Sequence, residues 1–179
     1  DAAHFVAAIG TEVAAQLTAS RQFAFDTETT GTDPYSADLV GVSVAWGPSL
    51  GQAAYIPLRH FDTPGLPWET VAAALQPAFA NPEIDKIAHN ISYDLGILNR
   101  AGLKVESPIV DTMVAAWLID PGMRGLGLKD LAWTRLRTEM TRITDLLGTG
   151  KTQITMDHVP AAAATAYAGA DAAVTLQLA

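Results

Sequence analysis

Acidic side chains stand among apolar neighbours at three points of this chain. Asp26 and Glu28 close the run "QFAFDTE", residues 22–28. On a strand, that spacing puts both carboxylates on one face, about 6.5 Å apart, with Phe23, Phe25 and Thr27 on the other. Ala24 leaves room beside the acids. Two carboxylates so placed either end a strand as solvated groups or repel each other until a cation lies between them. Hard cations such as Mg²⁺ or Mn²⁺ choose oxygen ligands of this kind.

Asp94 follows in "AHNISYDLG", in the first turns of an expected helix. A carboxylate there is favourable toward the helix dipole, and Asn90 fits an N-cap, so neither residue demands chemistry by itself. Tyr167 and Asp171 come last, in "TAYAGADAAVTLQL". At i and i+4 on a helix they share a face. A tyrosine there suits a core position with a wet hydroxyl, but an acid in so apolar a helix is costly to bury without a partner, cation or water.

Other chemistries lack their residues. "GTGKT" (148–152) has Asp145 where a phosphate-binding loop needs glycine, and no apolar strand leads into it. "GMRGLG" has the wrong glycine spacing for a dinucleotide fingerprint. His4, His60, His89 and His158 show no paired metal-ligand spacing, and His60 reads as a loop residue. The chain has no cysteine and no Gly-x-Ser-x-Gly, which leaves covalent nucleophile chemistry without a candidate.

The elements that must position these acids follow from the periodicities. Phe5, Val6, Ile9, Val13 and Leu17 have helical spacing over 3–19. Strands are expected at 22–28, 39–46 and 51–58, joined by the turn-rich stretch after Glu28 and a Gly-Pro turn at 46–51, an antiparallel meander. A helix over 68–80, a short buried strand over 84–90 and a helix over 91–102 closed by Gly102 come next. From Ser107 onward the pattern reads as mostly helical, broken at Pro121, with a helix in "LKDLAWTRL", a loop in "LLGTGKTQIT" and Pro160 opening the last helix. Strands first, then alternating helices and strands, imply an α/β domain with a mixed sheet.

At 179 residues the chain fits one domain with a sizeable core, and 49% hydrophobic against 17% charged residues is a globular composition. Lacking an initiator Met and a cap after its last helix, it is expected to be a fragment of a longer protein. The lack of cysteine, signal peptide and membrane-length apolar run makes a cytoplasmic protein the expectation. A net charge of −8 argues against broad non-specific nucleic-acid binding, yet carboxylates holding divalent cations could still accept a phosphodiester.

Taken in order, Asp26-Thr27-Glu28, then Asn90 to Asp94, then Tyr167 to Asp171 resemble the three motifs of the DEDD (DnaQ-like) exonuclease superfamily. The histidine subclass needs His at position 166, which is Ala, so the chain resembles the tyrosine subclass (DEDDy). "VDTMVAAWLID", "GLKDLAW", "GTGKTQITMDHVP" and "YAGADAAVTLQL" extend the likeness to the proofreading 3′→5′ exonuclease domain of bacterial family A DNA polymerases, from about Gln22 to the end.

That resemblance implies an RNase H-like fold with a five-stranded mixed sheet flanked by helices. It implies two divalent metal ions (Mg²⁺ or Mn²⁺) held by Asp26, Glu28, Asp94 and Asp171. Asp26 would bridge both, Glu28 and Asp171 would complete the nucleophile-side ion, and Asp94 would hold the other. Tyr167 would orient the attacking water. The implied partner is a single-stranded or frayed DNA 3′ end, with Thr29, Asn90, Tyr93 and Arg124 as strand contacts. A polymerase domain would follow in the full-length chain, and the domain itself would act as a monomer. Some relatives place an apolar wedge six positions after the first acid; here that position is Thr32, so the wedge is either weak or supplied elsewhere, with Ile143 as a candidate. The same chemistry on RNA, as in RNase D-like enzymes, and an inactive structural module are the alternatives.

Overall fold

The computed structural model describes residues 2–47 and 52–179, with side chains from Thr11 onward. The last four positions of the turn expected at 46–51, the first residue of the strand after it, and the side chains of Phe5, Val6 and Ile9 lie outside the described residues.

Five strands form one sheet in the order β3-β2-β1-β4-β5. β1 (Gln22–Thr29), β2 (Leu39–Ala45) and β3 (Ala53–Pro57) are the expected antiparallel meander. β4 (Asp85–Ala88) and β5 (Ile109–Asp111) add in parallel on the other side of β1. β1 is thus central and buried on both faces, which its composition supports. Phe23 and Phe25 pack with Phe79 at ring-centroid distances of 4.9 and 5.2 Å. Val13 and Leu17 of α1 (Ala2–Ala19) and Val71 and Leu75 of α2 (Trp68–Phe79) complete that layer.

The opposite face is built from small residues. Ala24, Ala45 and Ile87 meet Ala172, Ala173 and Leu176 of α7 (Ala161–Leu178). Ala164, Ala168 and Ala172, four apart on α7, are fully buried, so this helix lies close against β1, β2 and β3. Helices thus cover both faces of a mixed sheet, the expected α/β architecture.

β5 is a departure from the helical reading of the segment after Ser107. Only three residues long, it pairs in parallel with β4, the preceding strand, and α4 (Thr112–Ile119) begins at once after it. α5 (Leu128–Leu131) continues as a π-turn over Ala132–Leu136, and the stretch read as a loop starts inside a short helix, α6 (Ile143–Leu147). Gly102 does close α3 (Ile91–Arg100), at φ +89°.

Candidate active site

Asp26 and Glu28 lie near the C-terminal end of the central strand, opposite Ser43 and Gly41 of β2. The pairing shifts between Glu28 and Thr29, whose partner is Leu39, so Val40 bulges out of the ladder beside the acids. Beyond Ala24, β1 has left its pairing with β4, which frees its backbone on that side. Asp94 of α3 takes up the freed group: one carboxylate oxygen accepts from the Thr27 N–H at 2.9 Å and the Thr27 hydroxyl at 2.6 Å. On the α7 face, Tyr167 and Asp171 come down onto the same end of the sheet.

These acids are withdrawn from water: Glu28 is 7% exposed, Asp94 3% and Asp171 7%. Asp26 is partly open at the surface but closely surrounded by protein. Desolvation is the main cause that raises the carboxyl of Asp26 well above its ordinary value, followed by repulsion from Asp94, Glu28 and Asp171. Glu28 is pushed up to about 8, by burial first and then by Asp171. Asp94 rises to about 6 through burial, with the Thr27 hydrogen bonds working against the shift. Asp171 is raised by burial and lowered by Lys129 and by the Tyr167 hydroxyl. The mutual repulsion among residues 26, 28, 94 and 171 means that three distant segments bring their acids into one electrostatic neighbourhood.

Lys129 is the residue that the sequence reading missed. Its ammonium donates to Asp171 in a close ion pair and lies 4.4 Å from the centroid of the Tyr167 ring. It lies in the first turn of α5, 42 residues before its partner, and only its position within "GLKDLAW" hinted at a role.

As they stand, no three acids among the described residues are set to chelate one ion. The donor chemistry nevertheless fits a hard divalent cation. All the groups are oxygen donors, their charges repel, and Glu28 Oε1 is buried with no hydrogen-bond partner.

A groove of about 700 Å³ leads to Glu28, lined by Thr29, Thr32, Asn90, Tyr93, Ile143 and Ile154 among others. Ile143 and Thr32 thus both line it. The Tyr93 hydroxyl donates to the Gly31 carbonyl at 2.6 Å and shares a 2.5 Å hydrogen bond with Thr29. Asn90 sits at the start of α3 in a left-handed conformation, but its side chain does not cap the helix. Asp111 does so instead, accepting from the Asn90 and Ile91 N–H groups while also capping α4 through Met113. Arg124 is exposed and does not line the groove.

A five-stranded mixed sheet with acids from β1, α3 and α7 meeting at one end is the RNase H-like architecture of DnaQ-type nucleases. The chain belongs to the 3′-5′ exonuclease family, which it matches over residues 8–179, and that family is one of metal-dependent nucleases. It is 43% identical to DNA polymerase I of Chloroflexus aurantiacus over 169 residues, 93% of this chain and 17% of that protein. With DNA polymerase I of Pseudomonas aeruginosa it shares 34% identity over 169 residues, 91% of this chain and 18% of that one. The chain thus spans less than a fifth of the length of these relatives. Its fold is also that of Brucella melitensis NrnC, with a TM-score of 0.70 at 22% identity over 90% of this chain and 71% of the other.

Proposed function

We propose that this chain removes nucleoside 5′-monophosphates from DNA 3′ ends, as the proofreading unit of a DNA polymerase I whose polymerase domain lies in the same full-length chain. The observation that carries this reading is the electrostatic coupling of Asp26, Glu28, Asp94 and Asp171, with Tyr167 among them, beside a groove that reaches Glu28. Identity to DNA polymerase I over 93% of the chain supports the substrate class and the polymerase partner.

Two divalent cations, Mg²⁺ or Mn²⁺, held by Asp26, Glu28, Asp94 and Asp171, would supply the activation of a water and the charge stabilisation of the leaving 3′-oxygen. The chain's own residues do the rest. Asp26 feels the charges of Asp94, Glu28 and Asp171 together, so it would be a ligand that the cations stabilise strongly. Thr27 holds one oxygen of Asp94, which leaves the other for ligation. Burial and the carboxylates around Tyr167 raise its hydroxyl, so it keeps its proton at neutral pH. It therefore orients a water by hydrogen bonding rather than by taking its proton. Thr29 and Tyr93, tied to Gly31, form a fixed wall for the terminal nucleotide, with Asn90 and Ile143 beside it. Arg124 is exposed and outside the groove lining, so it makes no strand contact there.

The test is parallel digestion of matched DNA and RNA oligonucleotides by the wild-type chain and by Asp26→Ala and Asp171→Ala. DNA shortened from its 3′ end by the wild type alone is the expected result. RNA shortened in preference to DNA would instead select the exoribonuclease reading. Undiminished activity in Asp26→Ala would overturn the site.

A further inference from the structure

The segment after β3 is fastened to the start of α7 at three consecutive residues. The His60 side chain, 7% exposed, bonds through Nδ1 to the Val159 carbonyl oxygen at 2.9 Å. The Phe61 N–H donates to the Asp157 carbonyl at 3.0 Å. Both oxygens of Asp62 accept from the Ala161 N–H, at 3.1 and 3.2 Å. α7 begins after Pro160, with no capping side chain of its own at that position. Asp62 thus supplies from a distant loop the carboxylate that a helix N-terminus favours.

His60 also reaches the other way. A carbonyl oxygen only accepts, so Nδ1 carries a proton. In the neutral ring Nε2 then accepts from the Tyr55 hydroxyl, 2.8 Å away. Tyr55 in turn lies across β2 on the α7 side of the sheet. Its hydroxyl oxygen is 2.1 Å from where a Cβ on Gly41 would stand, so any larger residue there would push the Tyr55 ring aside. Gly41 is the register partner of Glu28. Directly opposed residues have Cβ positions about 5 Å apart, which places the Tyr55 hydroxyl beside the Glu28 side chain. The same Tyr55 packs with Val159, Ala164, Tyr167 and Ala168.

A continuous path therefore joins the two halves of the site outside the sheet ladder, from Glu28 through Tyr55 and His60 to Val159 and the helix bearing Tyr167 and Asp171. We propose that Tyr55 and His60 are positioning residues, which hold α7 in register against β1 so that Tyr167 and Asp171 meet Glu28. A buried imidazole with both nitrogens engaged is costly to assemble and has defined geometry, whereas packing alone would be served by an apolar side chain. The inference rests on the nuclease reading above.

Tyr55→Phe removes one oxygen and keeps the ring, and His60→Gln keeps a buried polar group without the two-sided link. Both are compared with wild type for kcat and KM on single-stranded DNA, and for amide exchange along Ala161–Asp171. The expected result is a roughly tenfold fall in kcat with KM within twofold, and at least severalfold faster exchange in the first turns of α7 but not in α2. The double variant should be little worse than either single one, since the two residues act as a unit. Wild-type kcat in Tyr55→Phe, or a loss carried by KM alone, would overturn the inference. If the wild-type chain itself proves inactive on DNA, the functional reading fails and α7 exchange alone decides: unchanged exchange in both variants overturns the positioning role.

Discussion

Thr27 donates two hydrogen bonds, from its backbone N–H and its hydroxyl, to the same carboxylate oxygen of Asp94. One residue between two site acids thus fixes a third that is 67 positions away in the chain. Thr27→Val keeps the shape and the backbone bond but deletes the hydroxyl. A hydrogen bond to a charged group contributes about 1.5–3 kcal/mol, so nuclease kcat should fall about tenfold or more, with a small loss of melting temperature. Unchanged kcat would mean that Asp94 needs no such support.

Stability of the cation-free protein should fall as pH rises. A carboxyl whose value is raised in the folded chain binds its proton more tightly there than in the unfolded chain. The resulting stabilisation is present at low pH and lost as pH climbs through the folded value. For Glu28 the window runs from 4.5 to about 8, and for Asp94 from 3.8 to about 6. Thermal melts in EDTA should therefore show a lower Tm at pH 8 than at pH 5.5. Saturating Mg²⁺ should raise Tm more at pH 8 than at pH 5.5, because ligation needs the deprotonated carboxylates. A Tm that rises with pH in EDTA would contradict the electrostatics described here.

Lys129 lowers the carboxyls of Asp26, Glu28 and Asp171. Lys129→Met removes that charge and keeps a flexible apolar stem. The rising limb of the activity–pH curve should then move to higher pH, with the largest deficit below neutrality and recovery in alkaline buffer. An unshifted curve, read by initial rates across pH 5.5 to 9, would show that Lys129 does not act on the site.

Apart from Glu28, the groove is lined by uncharged residues, with no Lys or Arg among those that line it. Binding there releases few counterions. The logarithm of kcat/KM against the logarithm of salt concentration should have a slope no steeper than about −1.5, as expected for about two phosphates neutralised. A steep slope would reveal a basic surface elsewhere that guides the strand.

How much of this was legible in the sequence differs from one element to the next. Asp26 and Glu28 could be assigned to one strand face because alternation is a local rule, and Tyr167 and Asp171 to one helix face because i and i+4 is another. The meander was readable from its turns. β5 was not: Ile109–Asp111 sits in an apolar run that also suits a helix, and its pairing with β4 leaves no local signature. His60 looked like a loop residue because its carbonyl partner lies 99 residues on, at Val159. Asn90 had a cap's identity, but Asp111 does the capping from across the sheet edge. Lys129 stayed hidden because ion pairing across 42 residues follows no spacing rule. Arg124, named from resemblance alone, lies away from the groove. Short-range geometry is written in the order of residues, whereas contacts made by tertiary packing emerge only with the fold.

The central claim is most directly tested by incubating the purified chain with single-stranded DNA labelled at its 3′ terminal nucleotide, with Mg²⁺ and with EDTA. The expected result is release of labelled nucleoside 5′-monophosphate with Mg²⁺, none with EDTA, and a loss of about a thousandfold or more in Asp26→Ala. No release with Mg²⁺ present, or equal release in EDTA, would contradict it.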